Sequence, residues 1–363
     1  MKKLGKIVLG IISFLLVIVV GYVGYCATSY YRIDDNLEIE TRNNQSELLK
    51  TNTEYSILTY NVGFGAYSDD YTFFLDSGVM EDGTVVSGKY GKGMSKDAVL
   101  KNTNGSKEVM KEYDADFYVL QEVDEDGSRS HHVNMYETYS NEFKTHGNAY
   151  AVNFHSAYLV LPIYDMHGKN TSGLLTLSKY KVASNVRKQY TVDTGFIEKL
   201  VDLDRCFMVS RIPVENGKEL VIINSHMSAY DAGGLIRAKQ LVELNTVMDE
   251  ELSKGNYVIV GGDYNHDLVD SIGKFETKQQ EPTWISTLTN DDIIDGMHIV
   301  EAINKYEVAT CRAAEIPYEK GVNYEVVVDG FIVSDNISVE AYNVDTGYKY
   351  SDHNPVYMTF TLN

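Results

Sequence analysis

Tyr257-Val-Ile-Val-Gly-Gly-Asp263-Tyr-Asn265 is a short apolar run that closes on two glycines, a carboxylate and an amide. Apolar runs of about four to six residues suit strands covered on both faces, and such strands deliver functional groups at their ends. The same grammar recurs in Tyr55-Ser-Ile-Leu-Thr-Tyr-Asn61, Phe117-Tyr-Val-Leu-Gln-Glu122 and Leu220-Val-Ile-Ile-Asn-Ser-His226. Val326-Val-Val-Asp329 and Ser351-Asp352-His353-Asn354 follow near the C-terminus. A single polar residue at a strand end is usually a turn former or a satisfied surface group. Six such endings in one chain point to one site assembled from distant parts of the sequence.

Further extended segments are expected at Gly173–Ser178, Cys206–Pro213, Asn336–Val344 and Val356–Leu362, with a hairpin turning at Asn216-Gly217. Helical periodicity is clear over Gly234–Leu252, where Leu235, Ala238, Leu241, Leu244 and Val247 recur on one face. Weaker helices are expected over Ser95–Tyr113 and Arg129–Phe143. Many strands with few helices predict an α/β fold: a four-layer sandwich of two packed mixed sheets flanked by helices. Residues 55–363 read as a single domain, since the whole chain has five prolines and no repeat or second linker.

The N-terminus differs in kind. Lys2, Lys3 and Lys6 precede Ile7–Ala27, a 21-residue stretch without a charge. At 1.5 Å per residue such a helix is about 31 Å long, enough for a hydrocarbon core of about 30 Å. The expectation is a cytoplasmic segment 1–6, a transmembrane anchor 7–27, a polar tether 28–54 and a catalytic domain outside the cell membrane. A cleaved signal peptide is the rival, but the apolar run is long and Tyr25-Cys26-Ala27 makes a poor cleavage site.

From Ile33 onward, 28 Lys+Arg face 52 Asp+Glu, a formal charge of −24. This balance disfavours nucleic acid, whose sequence-independent binders gain affinity by neutralising phosphates. The chain has three cysteines; whether Cys206 and Cys311 pair stays open, and no Cys/His cluster has zinc spacing.

Thr59-Tyr60-Asn61, Leu120-Gln121-Glu122-Val123-Asp124, Gly262-Asp263-Tyr264-Asn265 and Ser351-Asp352-His353-Asn354-Pro355 resemble the endonuclease/exonuclease/phosphatase superfamily in its motif order. That superfamily includes deoxyribonuclease-I-like nucleases, inositol polyphosphate 5-phosphatases and neutral sphingomyelinases; this chain resembles a membrane-anchored bacterial-type member. The resemblance implies divalent-metal-dependent phosphoester hydrolysis. Glu122 matches the principal ligand of Mg²⁺ (or Mn²⁺), a hard cation that prefers carboxylate oxygen, with Asn61 and Asp352 completing the metal site. Asp263 matches the residue that orients or deprotonates the attacking water, and Asn265 the one that steadies the transition state. His353 and His226 match the two imidazoles at the phosphate, and Asp329 the carboxylate that orients His353. Gln121 and Asp124 are expected to support the metal ligand.

Several readings stay open. Arg129 either binds a substrate phosphate or lies near a helix start. Asn153, Lys169 and Ser172 fall where the family places substrate contacts; Arg237 and Gln240 read as structural. The aromatics of Phe64–Met94 form either a self-packed loop or a lip at the substrate mouth or bilayer. The substrate is expected to be a lipid headgroup or a small phosphorylated metabolite rather than nucleic acid, with no obligate protein partner. A surface binding module that has lost catalysis is the alternative class.

Overall fold

The computed structural model describes residues 2–193, 195, 204–229, 231 and 233–363. Two sheets pack face to face. The first has seven strands, β1 (Leu37–Ile39), β8 (Ser184–Gln189), β9 (Cys206–Pro213), β10 (Glu219–His226), β11 (Tyr257–Asp263), β15 (Asp329–Ser334) and β12 (Met297–Ile299), in that spatial order. The second has six, β16 (Ile337–Asn343), β17 (Val356–Leu362), β2 (Glu54–Asn61), β5 (Phe117–Gly127), β7 (Asn170–Ser178) and β6 (Gly147–His155). Two small ribbons pair β3 (Ser77–Val79) with β4 (Val85–Ser87) and β13 (Cys311–Arg312) with β14 (Glu325–Val326). Each large sheet is antiparallel except for one parallel pair, β10–β11 in the first and β2–β5 in the second.

Alternation along the strands explains why the apolar runs are continuous. Ile57, Phe117, Val119, Leu220, Ile222 and Ile259 point into the core between the sheets. Their neighbours point outward: Leu58, Tyr118 and Leu120 against one helical layer, Val221, Ile223 and Val260 against the other. The outer layers are α2 (Lys96–Tyr113) with α3 (Met135–Glu142) on one side and α4 (Leu235–Ser253) on the other. These are the four expected layers.

Local chemistry sets the helix ends. Ser95 caps α2 by accepting the Ala98 N–H, and Asp114 stops it in the left-handed region. The helix expected from Arg129 begins only at Met135, because His131 and His132 take positive φ and Asn134 is the cap. On α4 the expected stripe holds at Leu244 and Val247, which are buried, and at Leu241, which packs on the core, but not in the first turn. Leu235 and Ala238 are exposed, while Arg237, Gln240, Leu244, Val247, Met248 and Glu251 face inward. Arg237 bonds the Trp284 carbonyl and Gln240 the Ser228 hydroxyl, so two polar residues carry a stripe that apolar periodicity passes over.

α1 (Lys2–Ser29) is long and apolar enough to cross a membrane, and its apolar stretch is unburied. The segment read as a tether is instead a strap on the domain. β1 pairs with β8 and forms the edge of the first sheet, Arg42 bridges Asn148, and Leu49 is buried between the sheets. Cys26, Cys206 and Cys311 are buried free thiols.

Candidate active site

The two parallel pairs bring their C-terminal ends to one edge of the sandwich. His226 is level with Asp263 across β10–β11, and Asp263 is level with Asp329 across β11–β15. Paired residues point the same way, so three strands present three titratable groups side by side. The glycines before Asp263 make the approach possible. A Cβ on Gly262 would stand 1.9 Å from the Ser225 carbonyl oxygen, and one on Gly261 would press on Phe331 and Val119.

On the facing sheet Asn61 ends β2 level with Gln121 of β5. A bulge follows, where Glu122 takes φ 56° and pairing with β7 shifts. Gln121 faces inward and donates to Asn224 Oδ1 at 2.9 Å; Asn224 in turn donates to the Leu120 and Leu175 carbonyls. This buried amide pair ties the sheets together directly beneath the site, and the bulge turns Glu122 up into it. Asp124 accepts both bonds of the Arg129 fork, at 3.2 and 2.7 Å.

Asp263 is the hub. Its Oδ2 lies 3.0 Å from Asn61 Nδ2, 3.5 Å from His226 Nε2 and 3.7 Å from His353 Nε2. Asn61 Oδ1 accepts the Gly63 N–H, which leaves its Nδ2 facing Asp263, Glu122 (3.4 Å) and His353 (3.5 Å). Asn265 does not continue an extended chain past Asp263. Its φ of 51° turns it, so that its backbone N–H holds Asp263 Oδ1 and its side-chain nitrogen bonds the Met227 carbonyl. Asp329 opens β15 rather than ending a strand, and its Oδ2 lies 2.8 Å from His353 Nδ1. Asp352 and His353 belong to the loop before β17, where Ser351 Oγ accepts the His353 N–H and donates to the Asn61 carbonyl.

The two histidines differ in charge. Burial works against a proton on His353, but Asp329, aided by Cys311, Asp263 and Asp352, holds its pKa well above the ordinary value. Burial, with Arg205, His353 and Arg129 nearby, drives the His226 pKa well below it. His353 is thus held toward its protonated form and His226 toward its neutral form beside the same carboxylate, while burial raises the Asp329 carboxyl to about 7.

Glu122 and Asp352 supply the oxygen donors. Burial raises both pKa values; Asp352 adds to the rise at Glu122, while Arg129 and Arg205 oppose it. Two half-buried carboxylates that repel each other suit a hard divalent cation. Asp263, Asp329 and His353 also bring one ligand atom each within 4.8 Å. His353 already shares Nδ1 with Asp329, and a protonated ring offers no lone pair. Glu122 and Asp352 are two further half-buried carboxylates beside this group, and Asn61 turns its Nδ2 toward Glu122.

A cavity of about 100 Å³ is lined by Glu122 and His226 together with the apolar Phe64, Phe73, Phe74 and Leu159 and the cationic Arg129 and Arg205. Asn153 and Ser172 line it too. Both are buried, and Asn153 Nδ2 and Ser172 Oγ have no hydrogen-bond partner among the described residues. Lys169 is exposed and does not line the cavity. Arg129, on which two readings were open, lies six residues before the helix that starts at Met135; its fork is held by Asp124, and its guanidinium carbon lies 3.9 Å from the centre of the Phe64 ring in the cavity wall.

Sequence reading missed Thr310, whose hydroxyl accepts the Val328 and Asp329 N–H groups and so sets Asp329. It also missed Arg205 and His167 in the cavity wall. None of the three lies in a strand-end motif.

The sequence profile of the Endonuclease/Exonuclease/phosphatase family matches residues 58–353, from β2 through His353. The chain belongs to this family. Members are phosphoester hydrolases and generally use divalent metals. Among solved structures it is similar to the endonuclease/exonuclease/phosphatase from Beutenbergia cavernae, at 15% identity over 85% of this chain and 72% of that one, with a TM-score of 0.55. Truncated TDP2 from Caenorhabditis elegans aligns at 13% identity over 86% and 99% of the chains, with a TM-score of 0.51. D. rerio TDP2 complexed with single strand DNA product aligns at 16% identity over 85% and 100%, also with a TM-score of 0.51. At these identities the likeness is one of fold. No curated protein sequence matches the chain significantly.

Proposed function

We propose that this family member is a divalent-metal-dependent phosphoesterase held at the outer face of the cell membrane by α1. The observation that carries the chemistry is the convergence of Asn61, His226 and His353, from strands of both sheets and the loop before β17, on Asp263 Oδ2, with Glu122 beside Asn61 and Asp329 behind His353. Mg²⁺ or Mn²⁺ held by Glu122 and Asp352, with Asn61 beside them, would supply Lewis-acid charge to the phosphoryl oxygens. Asp263 aims a water at phosphorus and takes its proton as the new P–O bond forms. The bond to the leaving oxygen breaks, that oxygen takes a proton from solvent to become an alcohol, and Asp263 returns its own proton to solvent. His353, its proton secured by Asp329, and neutral His226 donate to the phosphoryl oxygens, whose charge grows in the transition state. Asn265 keeps Asp263 in place through its backbone N–H.

The substrate class proposed is a lipid headgroup or a small phosphorylated metabolite. The acidic surface, at a formal −24 from Ile33 onward, supports either over nucleic acid. The decisive test uses the full chain in detergent with Mg²⁺ and an aryl phosphodiester. Glu122→Ala and His353→Ala are expected to abolish hydrolysis with unchanged circular dichroism, and EDTA to do the same to the parent. Activity in EDTA, or in both variants, would falsify the reading.

A further inference from the structure

The buried aromatics of Phe64–Phe73 pack on one another and leave little for a bilayer to touch. The exposed apolar surface near the cavity lies elsewhere, on the loop between β6 and β7. Leu161, Ile163 and Tyr164 of that loop are 59%, 73% and 76% exposed. Scattered exposed apolar residues are ordinary; a cluster beside a functional mouth is not.

The same loop is bonded to α1. The Tyr22 hydroxyl donates to the Tyr158 carbonyl at 3.0 Å and accepts the Val160 N–H, and the Tyr25 hydroxyl accepts the Tyr158 N–H at 3.0 Å. Tyr22 lies five residues inside the end of the charge-free stretch Ile7–Ala27, about 7.5 Å along a helix axis. Whatever bonds Tyr22 therefore stands at the level where a spanning helix leaves the lipid, the level Tyr prefers. The attachment is stiff. Cys26 is buried, the Tyr31 ring lies 4.1 Å from that of His155, and the Ile33 N–H donates to Asp204 at 2.8 Å.

Leu159, flanked by the two Tyr22-bonded residues, lines the catalytic cavity, and so does Leu75, which is itself exposed. The loop thus joins three things: the end of the anchor, an apolar tip and the mouth of the site. Lys89 sits beside it, its carbonyl accepting the Tyr164 hydroxyl, and its exposed ammonium suits lipid phosphates.

We infer that residues 158–164 are a second membrane contact. Leu161, Ile163 and Tyr164 enter the leaflet that surrounds α1, so that the cavity opens onto the headgroups and takes a phosphoester carried by a bilayer lipid. This rests on the phosphoesterase reading above and names its substrate class. Recruitment comes from α1; the loop governs how a lipid headgroup reaches Glu122 and His226.

The test separates contact from chemistry. The full chain is placed in vesicles of phosphatidylcholine, phosphatidylglycerol, sphingomyelin and phosphatidylinositol, with and without brominated acyl chains. Ile163→Trp is expected to add tryptophan fluorescence that brominated lipid quenches, beyond the parent, whose sole tryptophan is Trp284. The triple variant L161S/I163S/Y164S is expected to lose at least tenfold in headgroup release from vesicles while cleaving a water-soluble aryl phosphodiester at the parental rate. Failure of brominated lipid to quench the added indole of Ile163→Trp overturns the contact. Parental cleavage of the soluble ester without release of any headgroup, or an unaltered headgroup rate in the triple variant, overturns the lipid substrate. Loss of both activities in the parent strikes the phosphoesterase reading alone, and quenching still decides the contact.

Discussion

His353 Nδ1 lies 2.8 Å from Asp329 Oδ2, and this bond joins the loop before β17 to the first residue of β15 across the two sheets. The carboxylate outweighs the burial that acts against a charged ring, so the imidazolium persists above the usual histidine range. Nε2 is thereby left as a donor aimed toward Asp263, 3.7 Å away.

Asp329→Asn keeps the shape and removes the charge. We predict a fall in kcat of about 10²–10⁴-fold with unchanged circular dichroism. The alkaline limb of the pH–rate profile should move to lower pH, because His353 loses the anion that raises its pKa. A variant with normal kcat, or with its alkaline limb in place, would refute the role given to the pair.

Much of this site was legible because strand ends announce themselves. Runs of both-face-buried residues stopping at Asn61, Glu122, His226 and Asp263 are visible to a reader of the chain alone, and the parallel pairs place those endings together. What escaped depends on geometry that no period encodes. The positive φ of Asn265 turns it behind Asp263, and the bulge that turns Glu122 into the site leaves no mark in composition. Arg237 and Gln240 hold the buried face at the start of α4, so a search for apolar spacing found Leu244 and Val247 but placed Leu235 and Ala238 inward where they are exposed. The strap through Leu49 looked like a free tether because most of its docking is polar, through the β1–β8 ladder and the Asn44 bonds to the Val182 backbone.

Ser172 Oγ and Asn153 Nδ2 are buried in the cavity wall without partners among the described residues. A group in that condition costs stability unless a ligand engages it. Ser172→Ala should therefore leave the urea midpoint unchanged or slightly raised, while KM rises about tenfold at nearly constant kcat. Asn153→Ala should behave alike. A drop in stability with KM unaltered would make both residues structural.

Glu251 joins α4 to the β9–β10 hairpin. Its carboxylate takes both nitrogens of the Arg211 fork, at 2.9 and 2.5 Å, and also Lys254 and Asn256. Burial alone would raise its pKa, but these donors win and lower it from 4.5 to about 2. A depressed carboxylate contributes stability that is complete above the unfolded value and is lost as pH falls through the folded one. The window is thus pH 4.5 to about 2, and the contribution, reduced by solvent screening of the partly exposed Arg211 and Lys254, is about 1–2 kcal/mol. Glu251→Gln should lose most of it at pH 7 in urea titrations and show a shallower loss between pH 5 and 2. An acid limb as steep as the parent's would assign the acid sensitivity to other groups.

Gly262 tests the geometry that assembles the site. It sits one residue before Asp263, where β11 runs beside β10, and an added Cβ would meet the Ser225 carbonyl at 1.9 Å. Backbone cannot yield as a side-chain tip can, so Gly262→Ala must push the two parallel strands apart. The cost should exceed about 3 kcal/mol, read from urea denaturation. Because His226 and Asp263 end those strands in register, spreading them should also lower kcat in whatever fraction stays folded. Gly255→Ala makes the control, since that glycine has only the tip of Lys218 at 4.0 Å from an added Cβ and lies outside the strands. It takes φ 74° and so carries conformational strain without a steric block. If both substitutions cost the same and both spare kcat, close approach at Gly262 is not what aligns His226 with Asp263.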